Sequence, residues 1–195
     1  YSVACSSNNT AQARRLFVRY VPLFYLLACY FGVFISYESS NILLIVAGNQ
    51  YTSADIVLAV AALYPIHQTY GQMNGALMLS NGNTRIYSRI GLTFMILGSL
   101  LSLYLIAPKS LGGQDFGALG LAYKLVVVQF VAVNIQLFIN LKYLKLSFMK
   151  YFKQQIQVIA LLFIFVSFSG LITRHFFSGN FAEIFVHGLL YTLLL

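Results

Sequence analysis

The chain has 195 residues, of which 59% are hydrophobic and only 8% are charged. A soluble domain carries roughly 25% charged residues, so this composition excludes a water-soluble enzyme, a disulfide scaffold and a disordered tail. The net charge of +8 would suggest nucleic acid binding in a soluble protein. In a chain this apolar, we expect an all-α, polytopic transmembrane helix bundle in which the positive charge reflects membrane orientation.

Six apolar stretches are candidates to cross a bilayer, which takes about 20 residues of helix. In chain order, the predicted spans are 21–46, 55–79, 90–107, 118–140, 154–173 and 183–195. The connectors between them are short and contain turn formers or charges, so we expect a single transmembrane domain without an extramembrane domain. Because residue 1 is Tyr and the last span is cut short, we expect a fragment of a longer protein.

Lysine and arginine are distributed unevenly between the two ends of these spans. If the spans alternate in direction, one end holds Arg14, Arg15, Arg19, Arg85, Arg89, Lys142, Lys145, Lys150 and Lys153. The opposite end holds only Lys109 and Arg174, and Lys124 falls inside a span. This positive-inside pattern predicts a multi-pass protein of the cell (cytoplasmic) membrane, with residues 1–20 in the cytoplasm. It explains the basic balance without nucleic acid, and some of these cations could also contact anionic membrane lipids.

Two spans carry polar stripes. In the second span, about half of the helix circumference holds Tyr64, His67, Gln68, Gly71, Gln72, Asn74 and Gly75. Pro65 is expected to kink or loosen this helix. The fourth span has a narrower stripe of Ala118, Ala122, Gln129, Gln136 and Asn140.

These stripes predict the wall of a hydrated cavity or, alternatively, a polar seam between helices. The candidate substrate-cavity residues are His67, Gln68, Gln72, Asn74, Gln129 and Gln136. His67 by itself is more typical of a hydrogen-bonded structural histidine than of a proton carrier.

Two charged residues, Glu38 and Lys124, fall inside predicted spans at matching depths. Opposite charges at one depth are expected to pair, since pairing lowers the cost of burying both. The alternatives are that one of them faces a central cavity and contacts a charged substrate group, or that Lys124 extends its ammonium group to the membrane interface.

Signals of enzymatic chemistry are absent from the sequence. His67, His175 and His187 are far apart, with no cluster of Cys and carboxylate side chains around them to complete a metal site. There is no glycine-rich phosphate loop followed by Lys. We therefore predict a protein that is not an enzyme and that uses no metal and no cofactor.

A series of short landmarks follows the chain in a fixed order. They are Arg15-Leu16-Phe17 opening a span, Ala47–Tyr51 closing it, Gly75–Arg85, Ile106-Ala107-Pro108 closing the third span, and Gly117–Ala122 opening the fourth. Together they resemble the C-terminal lobe of the polysaccharide and lipid-linked oligosaccharide flippases, in the multidrug/oligosaccharidyl-lipid/polysaccharide exporter superfamily. Gly82, Thr84 and Arg85 match that family's Gly-x-Thr-Arg cytoplasmic turn.

The resemblance covers residues 14–153, with two departures. The connector 108–117 is longer than the expected tight turn, and Glu38 lies inside a span. The two spans after Lys153 suggest a fourteen-span member, of which this chain would be most of one lobe. Such proteins rock two lobes around a central cavity.

The implied function is to flip a lipid-linked glycan across the membrane for surface polysaccharide assembly. The implied partners are the glycan, membrane lipids and other polysaccharide-assembly proteins. One alternative is a cation-coupled multidrug exporter of the same superfamily. A second is a membrane-embedded glycan polymerase or ligase, which usually needs a sizeable extracytoplasmic loop. A third is a membrane scaffold that transports nothing, against which the polar stripes argue.

Overall fold

The computed structural model describes residues 1, 4–5, 9–176 and 180–194, and this part of the chain contains helices and no strand. The α-helices are α1 (Thr10–Tyr37), α2 (Ser39–Val46), α3 (Asp55–Ala61), α4 (Tyr64–Ser80), α5 (Thr84–Ile106), α6 (Gly117–Tyr143), α7 (Phe148–Phe176) and α8 (Asn180–Leu193). Short 3-10 turns cover Asn49–Ala54 and Lys109–Leu111. The predicted all-α helix bundle is confirmed.

The helices α1, α5, α6 and α7 are each long and apolar enough to cross a membrane. The last three begin before the predicted spans 90–107, 118–140 and 154–173, and α6 and α7 also end after them, because charged and tyrosine side chains continue a helix out of the hydrocarbon. The shorter α8 occupies most of the predicted span 183–195, of which residue 195 lies outside the described part.

The predicted spans 21–46 and 55–79 are each divided into two helices. The first divides at Glu38, between α1 and α2, and the second at residues 62–63, between α3 and α4. Pro65 lies in the first turn of α4. Its missing N–H is tolerated there, whereas inside a continuous helix it would leave a carbonyl unpaired. The predicted loosening of the helix at Pro65 is confirmed.

Spans that follow one another along the chain run in opposite directions. Between α1 and α4, Tyr25 contacts Tyr70 and Gly32 contacts Ile66. Between α5 and α6, Gly98 contacts Lys124 and Leu105 contacts Gly120. Between α6 and α7, Phe130 contacts Phe152 and Phe138 contacts Phe148. In each pair of helices, the residue numbers of the contacts increase along one helix as they decrease along the other. The alternation assumed in counting the cations is therefore present in the fold.

The core is built around α1. Phe17, Val21, Tyr25, Cys29 and Val33 repeat every four residues along one face, and all are buried. Against this face pack Ile66, Tyr70 and Leu77 of α4 and Leu162 and Val166 of α7. The outer faces are apolar as well, as expected of a multi-pass membrane protein: Leu100 and Leu103 of α5 are 59% and 67% exposed.

Two connectors account for landmarks of the sequence. Gly82 adopts φ +80° in the tight turn between α4 and α5, a conformation that favours glycine. The longer connector after α5 folds back on that helix, with the N–H groups of Gln114, Asp115 and Phe116 donating to the carbonyls of Tyr104, Ala107 and Leu105 at 2.9, 3.0 and 2.9 Å. Its extra length thus satisfies carbonyls that would otherwise have no partner at the helix end.

Candidate functional site

A cavity of about 650 Å³ lies between α4, α5 and α6. Its volume is within the range of small-molecule sites, roughly 300–1,000 Å³. On α4 it extends from Tyr64 to Leu79, or about 22 Å at about 1.5 Å per residue, which is most of the ~30 Å thickness of bilayer hydrocarbon. The polar lining residues are Tyr64, Gln68, Gln72, Tyr87, Lys124, Gln129 and Gln136.

Glycines of α4 allow the neighbouring helices to approach closely beside the cavity. A Cβ at Gly71 would lie 2.7 Å from Val133 Cγ2 of α6, and one at Gly75 would lie 3.0 Å from the Tyr87 ring of α5. Glycine inside a helix costs about 1 kcal/mol relative to alanine. The close contacts with α5 and α6 explain why glycine occupies these two positions, because a larger side chain would collide with the neighbouring helix.

The glutamine side chains form the polar wall. The Tyr64 hydroxyl donates to Gln68 Oε1 at 2.9 Å, and Gln129 Nε2 donates to the same oxygen at 3.0 Å. This network joins α4 to α6. Gln72 is exposed, whereas Gln136 is buried and its Oε1 has no hydrogen-bond partner. The structure thus brings four of the six predicted cavity residues together.

The other two, His67 and Asn74, do not line the cavity, and their assignment to it is wrong. The buried His67 ring packs edge-on against Phe130, with 5.0 Å between ring centroids. Asn74 is fully buried, donates to the Tyr70 carbonyl at 2.9 Å and accepts from Asn140 Nδ2 at 3.0 Å. Both residues therefore belong to the seam between α4 and α6.

The helical wheel explains this division. At about 100° per residue, His67 and Asn74 lie about 100° and 120° from Gln68 around α4, whereas Tyr64, Gln72 and Gly75 lie within about 60° of it. Restricting the predicted cavity wall to residues within about 60° of Gln68 would have separated the cavity residues from those of the seam between helices. On α6 the stripe divides along the helix axis instead: Gln129 and Gln136 line the cavity, whereas Asn140, about 20° from Gln129 around the helix but three turns further on, bonds Asn74.

The expected pair of Glu38 with Lys124 is wrong. Glu38 is 2% exposed, and its carboxylate contacts His187 Nδ1 at 2.6 Å and Asn41 Nδ2 at 2.7 Å. The ion pairs of the described residues join Glu38 to His187 and Glu183 to Arg174, and none includes Lys124. Matching depth fixes height in the bilayer but not the direction in which a side chain points, and Lys124 points toward α5.

Lys124 instead lies in the wall of the cavity. Gly98 of α5 makes room for it, since a Cβ there would lie 3.0 Å from Lys124 Cε. The sequence stripe on α6 omitted Lys124 because its position is about 140° from Gln129 around the helix. Its long stem carries the ammonium group back to the cavity.

Aromatic residues of α5 were also missed in the sequence. Tyr87 and Phe94 line the cavity from the side opposite α4 and α6. Their spacing of about two helical turns places them on one face. This spacing was the available signal, but α5 has no polar stripe to draw attention to it.

Cations cluster at one end of the bundle. Arg14, Arg15 and Arg19 of α1 line a groove of about 770 Å³ together with Lys145, which follows α6. The turn of Gly82, Thr84 and Arg85 joins α4 to α5 toward the same end, because α4 runs antiparallel to α1. The predicted concentration of positive charge at one end is thus present in the structure.

Comparison with known protein families, with curated proteins and with solved structures finds no match for this chain. The landmark motifs therefore remain a resemblance seen in the sequence. Within the described residues, no group of three or more His, Cys, Asp or Glu side chains is placed to hold a metal ion. Besides aliphatic side chains and glycines, the cavity offers a ligand amides, aromatic rings and one ammonium group.

Proposed function

We propose that the chain is part of a membrane transporter that flips or exports a lipid-linked oligosaccharide or polysaccharide precursor by alternating access. One observation carries the proposal: a cavity among three helices of an apolar bundle is lined by glutamine amides, aromatic rings and a single cation. In the proposed transporter this cavity faces the second lobe, and no bond of the substrate is made or broken.

The glutamine wall suits a sugar. A sugar hydroxyl both donates and accepts hydrogen bonds, and a glutamine side chain offers two donors and an acceptor. Gln72, whose side chain is exposed in the cavity wall, offers such donors and an acceptor to a hydroxyl. The rings of Tyr64 and Tyr87 provide apolar surface for the C–H faces of a sugar ring.

Lys124 suits the charged part of such a substrate. A lipid-linked glycan carries phosphate, and lysine binds phosphate as a point charge. The described lining contains no carboxylate. This charge balance favours an anionic ligand over the cationic compounds that a multidrug exporter of the same superfamily would carry. The short connectors argue against a glycan polymerase or ligase.

The basic end sets the proposed orientation. The clustered arginines and lysines support the proposal that residues 1–20 lie in the cytoplasm and that the bundle lies in the cell membrane. Substrate would enter the cavity from the leaflet at this end. Membrane lipids and other polysaccharide-assembly proteins are the further proposed partners.

The test replaces cavity amides one at a time in the full-length protein. Gln68→Leu and Gln72→Leu are expected to reduce surface glycan several-fold, by about 1 kcal/mol per lost hydrogen bond, at an unchanged protein level in the membrane. Gln157→Leu is the matched control, because Gln157 is exposed on α7 and lies outside the cavity. Normal glycan export in both cavity variants would refute the proposal.

Loss of protein would indicate a different role. If Gln68→Leu and Gln72→Leu lower the protein level in the membrane rather than the export per molecule, the amides act as a seam between helices. Protein quantity and surface glycan are therefore measured in the same cells.

A further inference from the structure

A second polar cluster lies outside the cavity, where α7 and α8 meet the break between α1 and α2. Its members Glu38, Ser169 and His187 are 2%, 0% and 1% exposed. The described residues that line the cavity all belong to α4, α5 and α6. The cluster is therefore a separate feature, and ionisable groups buried in a membrane bundle typically have a function.

The hydrogen-bond partners of His187 indicate that its Nε2 carries a proton. Its Nε2 lies 2.9 Å from the Val166 carbonyl and 2.9 Å from Ser169 Oγ. The Ser169 hydroxyl donates to the carbonyl of Phe165 or Val166, at 2.9 and 3.1 Å. Both neighbours of Nε2 are thus acceptors, so this nitrogen carries a hydrogen and donates it.

The contact between Nδ1 of His187 and Oε1 of Glu38 requires a further proton. The two atoms are 2.6 Å apart. With Nε2 protonated, a neutral imidazole has a lone pair at Nδ1, and an ionised carboxylate is also only an acceptor. A single proton must lie between them, in an imidazolium–carboxylate or an imidazole–carboxylic acid pair. The short distance is typical of a charge-assisted hydrogen bond.

We propose that Glu38 and His187 form a proton-binding site that latches α8 to the break between α1 and α2. With the proton bound, the pair closes at hydrogen-bond distance. Without it, two acceptors face each other in a buried place and the contact opens. This latch goes beyond the proposed glycan transport and does not depend on the identity of the substrate.

The groups around the Glu38–His187 pair do not take over the role of its shared proton. From α1, the Tyr37 ring lies 5.4 Å from the His187 ring, and from α2 the neutral Asn41 donates to the second carboxylate oxygen. From α7, the Arg174 guanidinium lies over the Tyr37 ring at 5.4 Å and forms its ion pair with Glu183 of α8 at 3.6 Å. Arg174 is therefore held by these partners and does not replace the shared proton.

Other contacts keep the opening local. The Tyr191 ring stacks on the Tyr30 ring at 4.8 Å, and Thr192 and Tyr30 share a hydrogen bond of 2.7 Å. These contacts hold the following turn of α8 against α1 whether or not the proton is bound. Loss of the proton is thus expected to loosen α8 rather than to unfold the bundle.

Hydrogen–deuterium exchange of the full-length protein in lipid nanodiscs tests the latch. Between about pH 5.5 and about pH 9, after correction for the intrinsic exchange rate, protection of α8 is expected to fall about tenfold or more. In Glu38→Gln, the side-chain amide donates to His187 Nδ1 without a titratable proton, so α8 should stay protected at every pH. Glu183→Gln is the matched control and should keep the pH dependence, because among the described residues Glu183 forms its ion pair with Arg174 and lies outside the Glu38–His187 contact.

In the unaltered protein, the latch would be overturned by protection of α8 that does not change with pH, or by a response of that protection to Na⁺ at constant pH instead of to pH. The same pH dependence in Glu38→Gln would also overturn it. If Glu38→Gln does not fold, the ¹⁵N spectrum of His187 decides, recorded in a His67→Gln, His175→Gln chain. The Nδ1 and Nε2 signals must then change with pH together with α8 protection, and constant signals would contradict the proposal.

Discussion

Replacing Lys124 by Gln removes the charge of the cavity while keeping its polarity. Lys124 forms no ion pair among the described residues, so the loss leaves no buried carboxylate behind and should not destabilise the bundle. Gly98 already leaves space beside the stem. The substitution therefore affects a bound anionic ligand more than the fold.

The size of the effect follows from the chemistry of the contact. A hydrogen bond to a charged group contributes about 1.5–3 kcal/mol, which corresponds to roughly 10- to 150-fold in affinity. Because the cavity is polar and open to water, we expect the lower part of this range, about tenfold to thirtyfold, in the concentration of lipid-linked glycan needed for half-maximal transport. Lys124→Arg keeps the charge and should recover part of the loss.

The assay is glycan translocation by the full-length protein in proteoliposomes, measured over a range of substrate concentrations. Lys109→Gln is the matched control, since Lys109 lies in the exposed turn after α5 and outside the cavity. An unchanged concentration dependence for Lys124→Gln would refute the assignment of Lys124 to the substrate. So would an equal loss in Lys109→Gln.

Three further predictions concern packing and orientation. Asn140→Leu leaves the buried Asn74 Oδ1 without its partner and should cost about 0.5–2 kcal/mol, seen as a lower thermal midpoint without a change in transport per folded molecule. Gly71→Val should cost about 1–3 kcal/mol by colliding with α6, and normal stability would contradict that close packing. A cysteine at the exposed Leu111 should react with an impermeant thiol reagent applied outside intact cells, whereas one at the exposed Ser147 should not; the reverse pattern would invert the orientation.

Hydropathy was sufficient to find the long helices but not their interruptions. The α1–α2 break at Glu38 has no proline or glycine beside it, so the sequence predicts one continuous span over 21–46. The break at residues 62–63 was easier to anticipate, because Pro65 restricts the backbone in a known way.

The direction of side chains around each helix was the second limit. Residues that share a sector of a few tens of degrees, such as Gln68 and Gln72, can be grouped from the sequence, and these two line the same cavity. Glu38 and Lys124 were paired from depth alone, and the true partner, His187, lies in the last helix of the chain. Contacts between such distant segments depend on how the whole bundle packs, which periodicity within one helix does not determine.

The central claim is that the cavity between α4, α5 and α6 lies on the path of a lipid-linked glycan, and photocrosslinking tests it most directly. A photoreactive amino acid at Gln72, which is exposed to the cavity, is compared with one at Phe168, which is 54% exposed on α7 and outside it. We expect radiolabelled lipid-linked glycan to be captured from Gln72 and not from Phe168. Capture from Phe168 alone, equal capture from both positions, or no capture from Gln72 would contradict it.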